Sequence, residues 1–198
     1  MHSSEYLNIY NNEEQHFYYL GIHNLVLTQL NLNTSKRSRM KILDAGCGTG
    51  LLAKKMKKFG KVVGIDISPE AVKFSKKRNI DVKKASVTKI PYLQNTFDVV
   101  VSINVLYHQA VKNSQIAINE FYRVLKPGGL LIIKVPAYNW LRGKHDIVVH
   151  TKHRFTVPEV QFKLKKAGFN TIKTTYFASF LLPIVLIKRL IETVTNSK

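Results

Sequence analysis

The 198-residue chain is predicted to fold as a single α/β domain on a doubly wound, mostly parallel sheet. Three observations carry that prediction. Short apolar runs alternate with segments of helical periodicity from about residue 40 onward. The first of these runs ends in a cluster of glycines that opens a helix. An apolar content of 45% over this length is enough for one well-buried core and short for two.

Taken in order, residues 13–32 carry apolar side chains at helical spacing, and Asn33, Thr34, Ser35, Lys36, Arg37 and Ser38 read as a polar linker. Residues 1–39 are therefore expected to form a helical lid or cap, and residues 40–198 the main domain. Strands are predicted at 41–45, 62–66, 82–85, 98–103 and 130–135, with helices at 51–59, 69–78, 115–124 and 157–167. Repetition of strand, helix, strand implies parallel strands covered on both faces. Ser68 suits a helix cap with Pro69 in the first turn. Pro127, Gly128 and Gly129 are expected to stop a helix ending at Leu125 and Lys126 and to turn the chain into the next strand. The apolar run 177–187, followed by Lys188 and Arg189, is too short to cross a bilayer and reads as a core or interfacial helix.

Lysine and arginine number 31 against 12 acids, a formal charge of +19. Nucleic acid, anionic lipid and acidic substrates are all compatible with it. Most of the charge, however, is lysine in short pairs such as Lys54-Lys55, Lys76-Lys77 and Lys165-Lys166 on polar helix faces, which suits a solvated surface. The single cysteine, Cys47, excludes an internal disulfide or a thiolate cluster, and no metal site is expected. The first residues lack the basic-then-apolar layout of a signal peptide. A cytoplasmic location is expected, peripheral to the membrane if the run 177–187 meets lipid.

The segment Asp44-Ala45-Gly46-Cys47-Gly48-Thr49-Gly50 carries the chemistry. A glycine turn between a strand and a helix lets backbone N–H groups approach a ligand. Leu51 stands where a dinucleotide fingerprint needs its third glycine or alanine, and no G-K-[ST] follows, so the spacing points away from NAD and ATP. Asp44, just before the glycines, disfavours a pyrophosphate and favours positive charge. Asp66 ends the next strand, where a carboxylate accepts two hydrogen bonds from ribose hydroxyls. A nucleoside with a cationic tail fits both.

On this motif, and on Gly64-Ile65-Asp66-Ile67-Ser68, Thr96-Phe97-Asp98-Val99-Val100 and Arg123-Val124-Leu125-Lys126-Pro127-Gly128-Gly129 in register after it, the chain resembles the class I S-adenosylmethionine-dependent methyltransferases, type 11-like. The resemblance implies a Rossmann-like fold and S-adenosyl-L-methionine as cofactor. It places Asp44 and the amides around Gly46, Cys47, Gly48 and Gly50 at the amino-acid end of the cofactor, Asp66 at the ribose and Ile67 on the adenine face, with Val87 and Ser102 also as cofactor-binding residues. Ser86 stands where relatives commonly carry an acid for the adenine amino group, so that contact is weaker, backbone-made or through the hydroxyl. Cys47 reads as a small buried residue, and with no second cysteine, cysteine-based pyrimidine chemistry is disfavoured.

Residues 102–108, Ser-Ile-Asn-Val-Leu-Tyr-His, would line the acceptor side. They lack the Pro-Pro and aromatic of enzymes that methylate exocyclic base nitrogens, which disfavours a nucleobase acceptor. Two flanks, His16-Phe17-Tyr18-Tyr19 and the stretch with Pro136-Ala137-Tyr138, Gly143-Lys144-His145-Asp146 and His153-Arg154-Phe155, resemble a branch that often accompanies surface-glycan and polyprenyl-lipid genes. A small-molecule or lipid- or glycan-linked acceptor follows from that likeness, with Tyr18, Tyr19, Tyr138 and Arg154 at the substrate or lid. An RNA methyltransferase using the basic surface and a non-catalytic cofactor-binding scaffold are the alternatives. Candidate bases are His108, His145, His150 and His153, with His145 favoured because Asp146 beside it would orient the ring. The branch usually ends in an antiparallel strand, and no strand-like run follows Ile191. Either the sheet is one strand short or the chain is a truncated product.

Overall fold

A computed structural model describes residues 3–34 and 39–187. Of the expected linker at 33–38, Asn33 and Thr34 are the last residues of a helix and 35–38 lie outside the described residues, as do the pair Lys188-Arg189 and the stretch after Ile191. Five strands, β1 (Met40–Ala45), β2 (Gly60–Asp66), β3 (Asp81–Lys84), β4 (Phe97–Ile103) and β5 (Leu125–Lys134), form one sheet in the order β3-β2-β1-β4-β5. Every neighbouring pair is parallel, and among the described residues no strand pairs with the outer edge of β5.

The helices are α1 (Ser3–Asn12), α2 (Phe17–Thr34), α3 (Leu51–Met56), α4 (Pro69–Lys77), α5 (Ser114–Val124), α6 (Lys144–Val148) and α7 (Val157–Lys166). Alternation along the strands sends side chains to two cores. Leu43 and Ala45 of β1 and Val100 of β4 pack with Ile118, Phe121 and Val124 of α5. Met40 and Ile42 of β1, with Val99 and Val101 of β4, pack with Ile22, Val26 and Leu30 of α2 and Leu52 and Met56 of α3. Ser68 caps α4 by accepting from Ala71 N at 3.5 Å, with Pro69 in the first turn as expected.

Three differences from the sequence reading have physical causes. The helical pattern over 13–32 becomes one helix, α2, only from Phe17, because residues 13–15 turn and Glu13 is drawn inward between α1 and α2. The helix before Pro127 ends at Val124. Leu125 already pairs with Phe97, and the chain bulges through Pro127, Gly128 (φ +70°) and Gly129 before Leu130 pairs with Val99. The run 177–187 is not core. Phe177 packs on Tyr18 of α2, ring centroids 6.1 Å apart, but Phe180, Ile184 and Ile187 stay exposed along a short 3₁₀ turn (Ser179–Leu181) and the helical residues that follow it. Among the described residues no helix is long and apolar enough to cross a membrane.

The amino-terminal helices are fixed to the domain by α1 on α4, where Tyr6 meets Ala71 and Phe74, and by one buried ion pair. Arg78 Nη1 donates to Glu13 Oε1 at 2.5 Å and to Thr49 O at 3.0 Å, and the Thr49 hydroxyl donates to the same carboxylate. The Arg78 guanidinium also lies 4.1 Å from the centre of the Tyr10 ring. Both charged side chains are about 95% buried. Removing one partner of such a pair strands the other charge in a low dielectric. Arg78→Met should therefore lower the unfolding free energy by about 3–5 kcal/mol in urea titrations. Adding Glu13→Gln to it should recover part of that loss.

Candidate functional site

At the carboxyl end of the sheet, the chain leaves β1 toward β2 on one side and leaves β4 toward β5 on the other. That divergence opens a crevice, the usual ligand position in open parallel sheets. A cavity of about 600 Å³ occupies it, walled by the glycine turn, by the loops after β2 to β5, and by residues of the amino-terminal helices, among them Tyr6, Tyr19, Ile22 and His23.

The glycine turn lies back over the end of β2. Gly46 N and Cys47 N both donate to Ile65 O, at 2.8 and 3.0 Å, and Gly48 N donates to Asp66 Oδ2 at 3.0 Å. Gly46 (φ +86°) has no room for a side chain, since a Cβ there would stand 2.2 Å from Val105 Cγ2. Gly48 (φ +54°) instead faces open space on the cavity wall, with its N–H given to Asp66 and its carbonyl accepting from the Ser75 hydroxyl at 2.9 Å. Gly50, expected at the ligand, is absent from the wall. Its N–H closes the turn on Cys47 O, and its α-carbon abuts Ser75 of α4. Cys47 is buried against Gly64 and Ser75, and burial pushes its thiol pKa up, so it packs as the sequence suggests.

Two carboxylates share the cavity. Asp44 is 2% exposed and its Oδ2 has no hydrogen-bond partner. Burial first, and the Asp66 charge second, raise its pKa to about 7. Burial also raises Asp66, against the pull of N–H donors: its Oδ1 accepts from Ser68 N at 2.9 Å and its Oδ2 from Gly48 N. An unsatisfied buried oxygen beside a second acid favours a cationic donor. Ile67, 49% exposed, offers an apolar surface on the same wall, with Ala85 and Val87 across from the turn. Ser86 reaches the wall, but its hydroxyl shares a 2.8 Å bond with the Thr88 hydroxyl and accepts from Thr88 N. Ser102 does not reach it. Its hydroxyl is buried and donates to Ala45 O at 3.0 Å, tying β4 to β1.

Over β4 and β5 the wall carries Tyr18, Asn104, Tyr107, His108, His145 and Thr151. His108 Nδ1 accepts from Ala110 N at 3.0 Å, and burial lowers its pKa. His145, on α6, stands exposed at the rim. The expected couple with Asp146 is not formed. Asp146 is buried, accepts from Gly143 N at the start of α6, and takes both Nε and Nη2 of Arg154, at 2.9 and 3.1 Å. Arg154 is thereby spent on holding this loop, donating also to Ala137 O, and is not on the cavity wall. Tyr138 lies off the wall too, its hydroxyl 2.6 Å from that of Tyr176 and its ring beside Trp140. His153 pairs with Glu159 at 2.8 Å.

Sequence reasoning missed Glu13 and His23. Glu13 sits in a run, Asn-Asn-Glu-Glu-Gln, that reads as solvated. His23 is a lone histidine on an apolar helix. It is buried on the cavity wall, with Nδ1 unpartnered and its pKa pushed down to about 4, mainly by burial. Among the described residues no group of three or more His, Cys, Asp or Glu is placed to hold a metal ion.

Comparison with known proteins identifies the domain. Residues 43–133 match a methyltransferase-domain family. The chain is 36% identical over 113 residues to a tRNA (carboxymethyluridine(34)-5-O)-methyltransferase of Arabidopsis thaliana, covering 56% of this chain and 26% of that protein. It is 34% identical over 140 residues to an uncharacterized protein of Methanocaldococcus jannaschii, covering 67% of this chain and 66% of that one. The chain thus spans between about a quarter and just under two thirds of these relatives. Among solved structures, a SAM-dependent methyltransferase from Aquifex aeolicus superposes with a TM-score of 0.69 at 22% identity, over 90% of this chain and 94% of that one, which shows the fold.

The raised pKa of Asp44 sets a pH dependence. Its folded value, about 7, exceeds the ordinary 3.8, so between these values the native state holds more protons than the unfolded chain. Its contribution to stability therefore falls as pH rises through that window and is flat above it. The isosteric Asp44→Asn should melt above the parent protein at pH 8, and the gap should close by pH 4, as read by thermal denaturation without ligand.

Proposed function

We propose that this chain, whose residues 43–133 match a methyltransferase-domain family, is a class I S-adenosylmethionine-dependent methyltransferase that transfers a methyl group to a small-molecule or lipid- or glycan-linked acceptor. The observation that carries this reading is the pairing of a glycine turn that presents no side chain to the cavity with two carboxylates, buried Asp44 and half-buried Asp66, the former with an oxygen left unpartnered. The arrangement suits a nucleoside with a cationic amino-acid tail. Asp44 would meet the ammonium and stay ionised beside it, Asp66 the ribose hydroxyls, Ile67 and Val87 the adenine faces, and the backbone of Gly46 and Gly48 the amino-acid end.

The bound cofactor supplies an electrophilic methyl group on a sulfonium. The chain's own work is alignment, exclusion of water and removal of a proton. Alignment alone is worth an effective molarity of roughly 10⁵–10⁸ M in well-oriented systems. The amino-terminal helices would act as the lid, with Tyr6, Tyr19 and Ile22 as its apolar underside. His108 and His145 are the imidazoles on the acceptor wall and the candidates for accepting a proton. In the neutral His108 ring Nδ1 accepts from Ala110 N, so Nε2 carries the N–H and donates toward the cavity; His108 takes a proton only by giving up the bond from Ala110 N, which leaves the exposed His145 as the readier acceptor. The exposed Phe180, Ile184 and Ile187, together with the net charge of +19, favour an acceptor met at an anionic lipid surface. The same charge and the likeness to a tRNA methyltransferase support RNA as a second reading.

Incubating the protein with isotopically labelled S-adenosylmethionine and a cell extract, then fractionating, tests both. Label in the organic or small-metabolite fraction is expected, label in RNA would favour the second reading, and cofactor binding without transfer would mean a scaffold. By calorimetry, Asp66→Ala should weaken S-adenosylmethionine at least about tenfold, because hydrogen bonds to a charged group are worth about 1.5–3 kcal/mol each. His108→Ala and His145→Ala should each keep cofactor affinity within about twofold and lower turnover.

A further inference from the structure

The acceptor half of the cavity contains a polar cluster that cofactor binding does not use. Lys134 ends β5, and Asn104, at φ +57°, opens the turn after β4; Asn104 N donates to Lys134 O at 2.8 Å, which sets the two side by side. Lys134 Nζ donates to the Tyr18 hydroxyl at 2.6 Å and to Asn104 Oδ1 at 2.8 Å, and it lies 5.0 Å from the centre of the Tyr18 ring. Asn104 Nδ2 donates to the same hydroxyl at 3.4 Å. Tyr18 and Asn104 are on the cavity wall, with Lys134 half-buried behind them.

Two features of this cluster point outward. A phenol oxygen has two lone pairs, and Lys134 and Asn104 fill both, so the group Tyr18 has left to offer is its own proton. No acidic side chain among the described residues pairs with Lys134. The result is a hydroxyl donor on the wall backed by a half-buried cation with no counter-ion. The four acids of the wall, Glu5, Glu13, Asp44 and Asp66, all belong to α1, the turn after it, and the ends of β1 and β2. None belongs to β4, β5 or the loops that follow them. The cavity is therefore polarised along the sheet edge.

We propose that Tyr18, backed by Lys134 and Asn104, is a subsite for an oxyanion of the acceptor, a carboxylate or phosphate oxygen held over the ends of β4 and β5. The assignment rests on the methyltransferase reading for the word acceptor, but not for the anion site itself. A charge-assisted donor suits an oxyanion and leaves a neutral apolar group unrewarded. The opposite end of the cavity, with Asp44 and Asp66, repels the same anion, so the acceptor takes one orientation.

Calorimetry with inorganic phosphate and, separately, with benzoate on the full chain saturated with S-adenosylhomocysteine tests the assignment and tells the two oxyanions apart. The parent protein should bind one of them saturably. Tyr18→Phe and Lys134→Met should each weaken that probe at least about tenfold, and Lys134→Arg should stay within about threefold. Lys165→Met, an exposed lysine on α7, should change nothing. Tyr18→Phe keeps the ring on Phe177, so it reads the hydroxyl even if Lys134→Met fails to fold. No saturable binding of either probe, equal binding by parent and Tyr18→Phe, or equal loss in Lys165→Met each overturns the subsite. Affinity for S-adenosylmethionine, measured on the same variants, should stay within about twofold. Its absence in the parent would sink the methyltransferase reading, a result separate from the failure of the anion site.

Discussion

The site depends on the glycine turn being folded back over the end of β2. Two N–H groups, Gly46 and Cys47, converge on one carbonyl, Ile65 O, and Gly48 N reaches the Asp66 carboxylate. This is possible only because the chain is thin at both ends of the contact. A Cβ on Gly64 would stand 2.8 Å from Cys47 Sγ, and one on Gly46 would overlap Val105. Once the turn is down, Asp44 lies buried at its base and Asp66 is drawn across it, so two acids near the ends of neighbouring parallel strands become walls of one cavity. The turn is thus at once a backbone surface for a ligand and the reason that the two carboxylates interact.

How much of this is legible in the chain follows from where the information lies. Buried parallel strands read as continuous apolar runs, so all five strands and helices α3, α4, α5 and α7 could be placed in order, with α4 marked by its own Ser68-Pro69 cap, whereas the five-residue α6 is too short to show a period. Helix α1 could not. Its sequence, Ser-Ser-Glu-Tyr-Leu-Asn-Ile-Tyr-Asn-Asn, has little apolar pattern, and it holds by Tyr6 and Tyr10 against Phe74, contacts made across the fold. The break at residues 13–15 contains no glycine or proline and is driven by a carboxylate reaching Arg78, again a long-range partner.

The same division runs through the site. Residues whose role is set by the local turn, Asp44, Gly46, Gly48 and Asp66, fall on the cavity wall where their spacing puts them. Residues whose role depends on a choice among distant partners do not follow proximity in sequence. Asp146 has His145 next to it and Arg154 eight positions on, and it takes Arg154, because a guanidinium satisfies both carboxylate oxygens at once while the cap of α6 supplies a further donor. Tyr138 and Ser102 are likewise claimed by Tyr176 and Ala45 O. Polar side chains near a site are spoken for unless a ligand competes with the protein's own donors and acceptors.

That competition explains why the unsatisfied atoms carry so much of the functional argument. The buried polar side-chain atoms left without a partner among the described residues are Asp44 Oδ2 and His23 Nδ1, and both belong to the cavity wall. Each costs stability, since burial raises one pKa and lowers the other, and neither cost is offset by the protein alone. The ion pair of Glu13 and Arg78, by contrast, is fully partnered and touches the glycine turn through Thr49. It couples the amino-terminal helices to the turn that a ligand must contact. A ligand that satisfies Asp44 and so steadies the turn therefore steadies the cap as well, because Thr49 of the turn is held by Glu13 of the cap. The cavity is then both the least satisfied part of the fold and the part to which its amino-terminal layer is tied.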